Sequence, residues 1–122
     1  MPVQEPEQWW RTWVEYFEKG DMDGIMSLYA PGAVVVATPG NPTQGDAARE
    51  AIQSFASLNG KLKWVGETIV RGPAWATIYV QDWTFDAGGP DNPLHLAGTA
   101  TVQLAERAGG WVGLIDDFNS QG

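Results

Sequence analysis

Apolar residues recur at helical spacing near the start of the chain, where Trp9, Trp10, Trp13, Val14, Tyr16 and Phe17 follow Pro6 and Glu7 and precede Gly20. Proline and an acid suit a first helical turn and glycine suits a helix end, so the pattern predicts an amphipathic helix over 6–19. Asp21 then caps a second, short helix carrying Ile25, Met26, Leu28 and Tyr29, which Pro31-Gly32 terminates. The β-branched run Val34–Val36 predicts a brief strand. The stretch from Pro39 to Gly45 is a loop on composition, and Asp46 caps a third helix with Ala47, Ala51, Ile52, Phe55 and Leu58 on its inner stripe. From Lys61 onward the period changes to two. Strands are predicted over 61–70, 74–86, 94–106 and 111–118, separated by Gly- and Pro-rich turns, as an antiparallel meander. The order α-α-β-α-β-β-β-β is that of an α+β fold, with the three helices on one face of a strongly bent sheet.

Composition narrows the possibilities. With 122 residues, 43% of them hydrophobic, the chain is expected to form one domain over 1–122 with a modest core. A formal net charge of -8 repels phosphate backbones and anionic lipid, which argues against nucleic acid and membrane partners. No stretch approaches the roughly 20 apolar residues that span a bilayer, and Met1–Glu5 lacks the basic and apolar regions of a signal peptide, so a cytoplasmic location is expected. Cysteine is absent and His95 is the single histidine. Sulfur ligation and clustered imidazoles are therefore excluded, and no metal or cofactor is expected. The glycines do not form a phosphate-binding pattern, and no serine sits in a nucleophile-elbow context. Seven tryptophans are more than so small a core readily hides, which points to a cavity or interface lined by the remainder.

Acid–base chemistry in such a chain falls to carboxylates, tyrosines or His95. Asp82 lies within a strand, a poor place for aspartate unless something needs it. Facing a pocket, it would be desolvated and poised for proton transfer. Facing out, it would be a solvated charge. Of Asp116 and Asp117, adjacent in the last strand, only one can point inward. Trp13, Tyr16 and Phe17 share one turn, so at least two project toward the sheet. The Tyr16 hydroxyl is placed to bond a ligand carbonyl, Trp64 and Trp83 to wall a ring system or cover a dimer contact, and His95, at a strand start, to shuttle a proton or simply meet solvent.

The run Gly20-Asp21-Met22-Asp23-Gly24-Ile25-Met26-Ser27-Leu28-Tyr29-Ala30, followed by a short strand, a loop ending in Gly45 and a helix, resembles the opening of the ketosteroid-isomerase and nuclear-transport-factor-two-like superfamily. Gly98–Leu104 and Gly110–Phe118 resemble the last two strands of its polyketide-cyclase-like and small uncharacterised branches. The resemblance covers nearly the whole chain. It implies a cone-shaped sheet wrapped around the helices, an apolar pocket open at one end, and a homodimer through the outer sheet face. It also implies that the isomerase's general base falls at Ala37, its oxyanion tyrosine at Trp13 and its protonated aspartic acid near Val102. All three positions are changed, so ketosteroid isomerisation by those groups is ruled out. Pairing against the isomerase sends Asp82 inward with Ile78 and Val80, and favours Asp117 over Asp116. Pairing against the uncharacterised branch sends Tyr79, Gln81 and Trp83 inward instead.

Two functions fit these residues. In one, the chain is a cofactor-free enzyme acting on an apolar cyclic molecule by cyclisation, isomerisation, dehydration or epoxide opening. Asp82 or Asp117 would then be the acid–base group, Tyr16 a hydrogen-bond partner, and Trp13, Phe17, Trp64, Trp83 and His95 substrate contacts. In the other, it is a non-catalytic ligand-binding or dimeric assembly module whose aromatics fill the core and an interface.

Overall fold

The computed structural model describes residues 3–107 and 109–118. Helix α1 spans Pro6–Lys19 and α2 Met22–Ser27. Strand β1 spans Tyr29–Thr38, β2 Asn41–Gln44, and helix α3 Gly45–Ala56. Strands β3 (Lys61–Gly72), β4 (Trp75–Ala87), β5 (Leu94–Arg107) and β6 (Gly110–Asp117) follow. The sheet is curved and unclosed, with strand order β2-β1-β6-β5-β4-β3.

Capping explains why the first helices stop and start where they do. Gly20 adopts φ 70°, and the N–H groups of Gly20 and Asp21 are donated to the carbonyls of Phe17 and Tyr16, closing α1. The Asp21 carboxylate accepts the Gly24 N–H at 2.9 Å and so opens α2.

Three expectations change. The loop after β1 is a short hairpin: β2 pairs antiparallel with β1, and the Thr43 hydroxyl is donated to the Val35 carbonyl at 2.7 Å. The sheet is not antiparallel throughout, because β1 runs parallel to β6 with Val35 beside Asp116. The third helix starts at Gly45 without an Asp46 cap, and buries Ala48 and Ile52 while Ala47 and Leu58 are exposed.

The core lies between α1 and the concave sheet face. Trp9, Trp10, Trp13, Val14 and Phe17 are all buried there, against Ile78, Val80, Val102 and Leu104 of the sheet. The rings pack in a chain: Trp10 stacks on Trp13 at 5.4 Å and Trp13 on Phe17 at 5.1 Å, while Phe118 meets Trp13 edge-on at 5.5 Å.

The sheet bends at a bulge. Val80 pairs with Ala100 but Trp83 pairs with Gly98, so Gln81 and Asp82 together oppose one residue of β5 and both are exposed. Across from them Gly66 takes φ 72°, and a Cβ there would meet the Gln81 side-chain oxygen at 2.1 Å. Ile78, Val80, Trp83 and Phe85 are consequently all buried on the concave face.

Candidate functional site

A hydrogen-bonded chain of three buried side chains crosses the closed end of the core. The Trp13 indole N–H is donated to the Tyr29 hydroxyl at 2.9 Å, and that hydroxyl is donated to Asp116 Oδ2 at 2.5 Å. Each member is placed by a different element: Trp13 by the inner stripe of α1, Tyr29 by the first position of β1, and Asp116 by the end of β6. Trp9 holds Tyr29 from its other side, meeting it edge-on at 5.5 Å while donating its own N–H to the Leu28 carbonyl at 3.0 Å. Asp116 is 0% exposed, between Val35 of β1 and Val102 of β5 in the sheet. Its second oxygen, Oδ1, is buried and has no hydrogen-bond partner.

Burial pushes the Asp116 carboxyl up to about 7; the Tyr29 hydroxyl opposes that rise, and the neighbouring charge of Asp117 adds to it. Burial also raises the Tyr29 phenol well above its ordinary value, helped by the charge of Asp116 and by the hydrogen bond to it, with the Trp13 N–H pulling the other way. The result is an acid that exchanges its proton near neutrality, fixed by a phenol that stays protonated.

One row further along the same face, Ala37 and Phe118 line a cavity together with Trp10, Trp13, Phe17 and Trp83. It is walled entirely by apolar side chains and has a volume of about 30 Å³, enough for a water-sized group and too little for a ring. Half-buried Phe55, Leu62 and Leu96, with buried Phe85, complete its wall. The N–H of Trp10 is buried without an acceptor. Among the described residues no cluster of acids and histidine could hold a metal ion.

A SnoaL-like domain model matches residues 10–113, most of the chain, and stops just before Asp116 and Phe118. The chain belongs to the SnoaL-like domain family. It is thereby a member of the ketosteroid-isomerase and nuclear-transport-factor-two-like superfamily, whose SnoaL-like branch contains cyclases and isomerases. No curated relative matches it.

Solved structures share the fold at low identity. A protein described as a candidate calcium/calmodulin dependent protein kinase II association domain from Xanthomonas campestris aligns with TM-score 0.77 at 17% identity, covering 93% of this chain and 82% of that one. A nuclear-transport-factor-two-like protein of unknown function from Shewanella oneidensis aligns with TM-score 0.69 at 20% identity, covering 93% of each chain. A similar protein with a cystatin-like fold from Novosphingobium aromaticivorans aligns with TM-score 0.74 at 10% identity, covering 90% and 75%.

Within this SnoaL-like domain the expected site residues separate into two groups. Trp13, Phe17 and Trp83 line the cavity. Trp83 is locked there, its N–H shared between the carbonyls of Thr99 and Phe118 at 2.8 Å each.

The others lie elsewhere. Asp82 is exposed, because the β4 bulge lets Ile78 and Val80 point inward and then Trp83 and Phe85 as well, an outcome that neither single register contains. Asp116 takes the inward position expected of Asp117, because the pairing shifts by one between Gln103 and Leu104, opposite Leu114 of β6. Tyr16 is half-buried with its ring against Gly24 of α2 and does not line the cavity. Trp64 meets Trp10 edge-on at 6.3 Å, outside the cavity wall. His95 is exposed and paired with Asp86 at 2.5 Å. Asn119, expected beside Asp117, lies outside the described residues.

Ala37 and Trp13 are cavity walls, and Val102 is the cross-strand neighbour of Asp116. Tyr29 was hidden from sequence reading by its apparent place at the end of a helix.

Proposed function

We propose that this SnoaL-like domain is an enzyme that moves protons on an apolar, ring-bearing small molecule without a cofactor, by cyclisation, isomerisation, dehydration or epoxide opening. The observation that carries the reading is Asp116, a fully buried acid raised to about 7 and hydrogen-bonded by Tyr29, two residues along β6 from Phe118 of the aromatic cavity wall. With its proton removed, the carboxylate takes one from a carbon beside a carbonyl, or from water attacking a strained ring, and returns it to the product. Oδ1 is the oxygen that does this, since Oδ2 is held by Tyr29. Ala37, two residues along β1 from Val35, the cross-strand neighbour of Asp116, is the smallest side chain of the cavity wall. The unpaired Trp10 N–H suits a ligand carbonyl that enters beside it.

The test is turnover of cyclic ketones and epoxides by the wild-type chain and by Asp116→Asn. Activity that rises through a pH near 7 and falls at least about a hundredfold in the variant supports this assignment. Binding with equal turnover in both proteins would make the domain a ligand carrier.

A second reading concerns assembly and is supported by the convex face. Val70, Tyr79 and Ile115 are 46%, 45% and 48% exposed on it, in rows with Thr68, Thr77, Thr101 and Gln103 that carry one charge, Asp117, at the β6 end. A strip of this kind, with a single charge at its edge, fits a homodimer through the outer sheet face. Light scattering is expected to give twice the chain mass, and Ile115→Lys with Tyr79→Lys to give the monomer. A wild-type monomer at high concentration would remove the dimer.

A further inference from the structure

The three lysines of the chain, Lys19, Lys61 and Lys63, all line one vestibule of about 460 Å³. They come from separate elements: Lys19 is the last residue of α1, and Lys61 and Lys63 stand on edge strand β3, after the Asn59-Gly60 turn. Phe17 and Leu62 line both this vestibule and the aromatic cavity, so the two spaces share a wall and the vestibule is the nearest approach to the cavity from its lysine-bearing side. Glu18 is the single acid along its wall. In a chain of net charge -8, with 15 acids to seven lysines and arginines, the mouth is a local reversal of sign.

These cations are also uncommitted. Arg49 is paired with Asp23, and Arg71 with Glu5 and Glu7. Among the described residues none of the lysines is ion-paired. Lys61 lies opposite Asp86 across the strands, but Asp86 is taken by His95 at 2.5 Å. A concave mouth of one sign, beside a low-dielectric wall, concentrates the opposite charge. Lysine supplies hydrated point charges without the planar fork of arginine, so it selects for charge more than for the shape of a head group.

We propose that the ligand is an amphipathic organic acid: its apolar body enters past Phe17 and opens the aromatic cavity by turning aside half-buried Phe55, Leu62 and Leu96, and its ionised carboxylate stays in the vestibule among Lys19, Lys61 and Lys63. This rests on the reading of the cavity as a ligand site and adds the class of molecule. It also orients that molecule. The charged end faces solvent and the uncharged, reacting end faces Asp116, whose buried carboxylate repels a second anion.

The experiment titrates the full chain with 2-naphthoate and with its methyl ester, reading tryptophan fluorescence and heat. At low salt the acid is expected to bind about fivefold to tenfold tighter than the ester, the worth of two or three exposed ion pairs. That preference is expected to shrink at about 0.5 M salt, where the screening length falls to a few ångströms. It is expected to vanish in Lys61→Gln/Lys63→Gln, with ester affinity unchanged, and to grow in Glu18→Gln. Acid and ester binding equally well would overturn the charged-head assignment and leave the cavity reading intact, as would an acid preference that survives replacement of all three lysines. Failure of both probes to bind would remove the cavity reading and this inference together.

Discussion

The two ends of the concave face handle polarity in opposite ways. At the closed end, Asp116, Tyr29 and Trp13 form a dry chain of hydrogen bonds in which each group was taken out of water and then given a partner, save one carboxylate oxygen. At the open end, three lysines stand in a wet vestibule with no fixed partner. Charge is cheap where water remains and costly where it does not. The dry end therefore carries an acid raised by burial, and the wet end carries solvated charges. The aromatic cavity on the same concave face has no polar lining.

If that contrast is right, substitutions and pH act strongly at one end and weakly at the other. The largest effect is expected from titration of Asp116. A folded-state acid at about 7 holds its proton more tightly than the unfolded one near 4, so the folded protein binds more protons across that window and stability falls as pH rises through it. The loss is on the order of 4 kcal/mol between pH 4 and pH 7, flat beyond, and largely absent in Asp116→Asn. Urea unfolding at a series of pH values measures it. A wild-type curve parallel to that of the variant would mean the acid is not buried.

Tyr29→Phe comes next. It removes the one hydroxyl that holds the carboxylate and the acceptor of the Trp13 N–H, so the Asp116 acid is expected to move further up, and stability to drop by about 1–3 kcal/mol, more above pH 7 than near pH 4. An equal loss at both pH values would mean that the Trp13 bond, and not the bond to the carboxylate, carries the effect. Gly66→Ala tests the bend that decides which residues of β4 face inward. A side chain at φ 72° meeting Gln81 is expected to cost about 1–2 kcal/mol and to disturb the Trp83 signal in near-ultraviolet dichroism. At the open end, Lys63→Gln and Asp82→Asn are expected to change stability by less than about 0.5 kcal/mol, since both are exposed.

Most of the architecture was legible in the hydrophobic pattern. Helix 6–19 and the four long strands stand where the 3.6- and 2-residue periods put them, because those periods report burial directly. The cavity walls Trp13, Phe17 and Trp83 were legible in the pattern, whereas which aspartate faces inward was not: a bulge in β4 and a pairing shift opposite Leu114 each change face by one residue, and a bulge leaves no mark in a period of two. Glycine at 66 was the available hint, since a strand glycine with positive φ marks such a place. Tyr29 was lost to a boundary: a residue assigned to the end of α2 is instead the first of β1, and that difference turns its ring into the core. The lysine mouth was invisible because Lys19 and Lys61 are 42 residues apart and meet only through the fold.

The most direct test of the central claim is the pKa of the Asp116 carboxyl, followed by carboxyl-carbon NMR with Asp116→Asn to assign the signal. A midpoint near 7 is expected, moving higher in Tyr29→Phe. A midpoint near 4, the value of a solvated aspartate, would contradict the account, since a carboxylate fully ionised at neutral pH in that position would have to be in water.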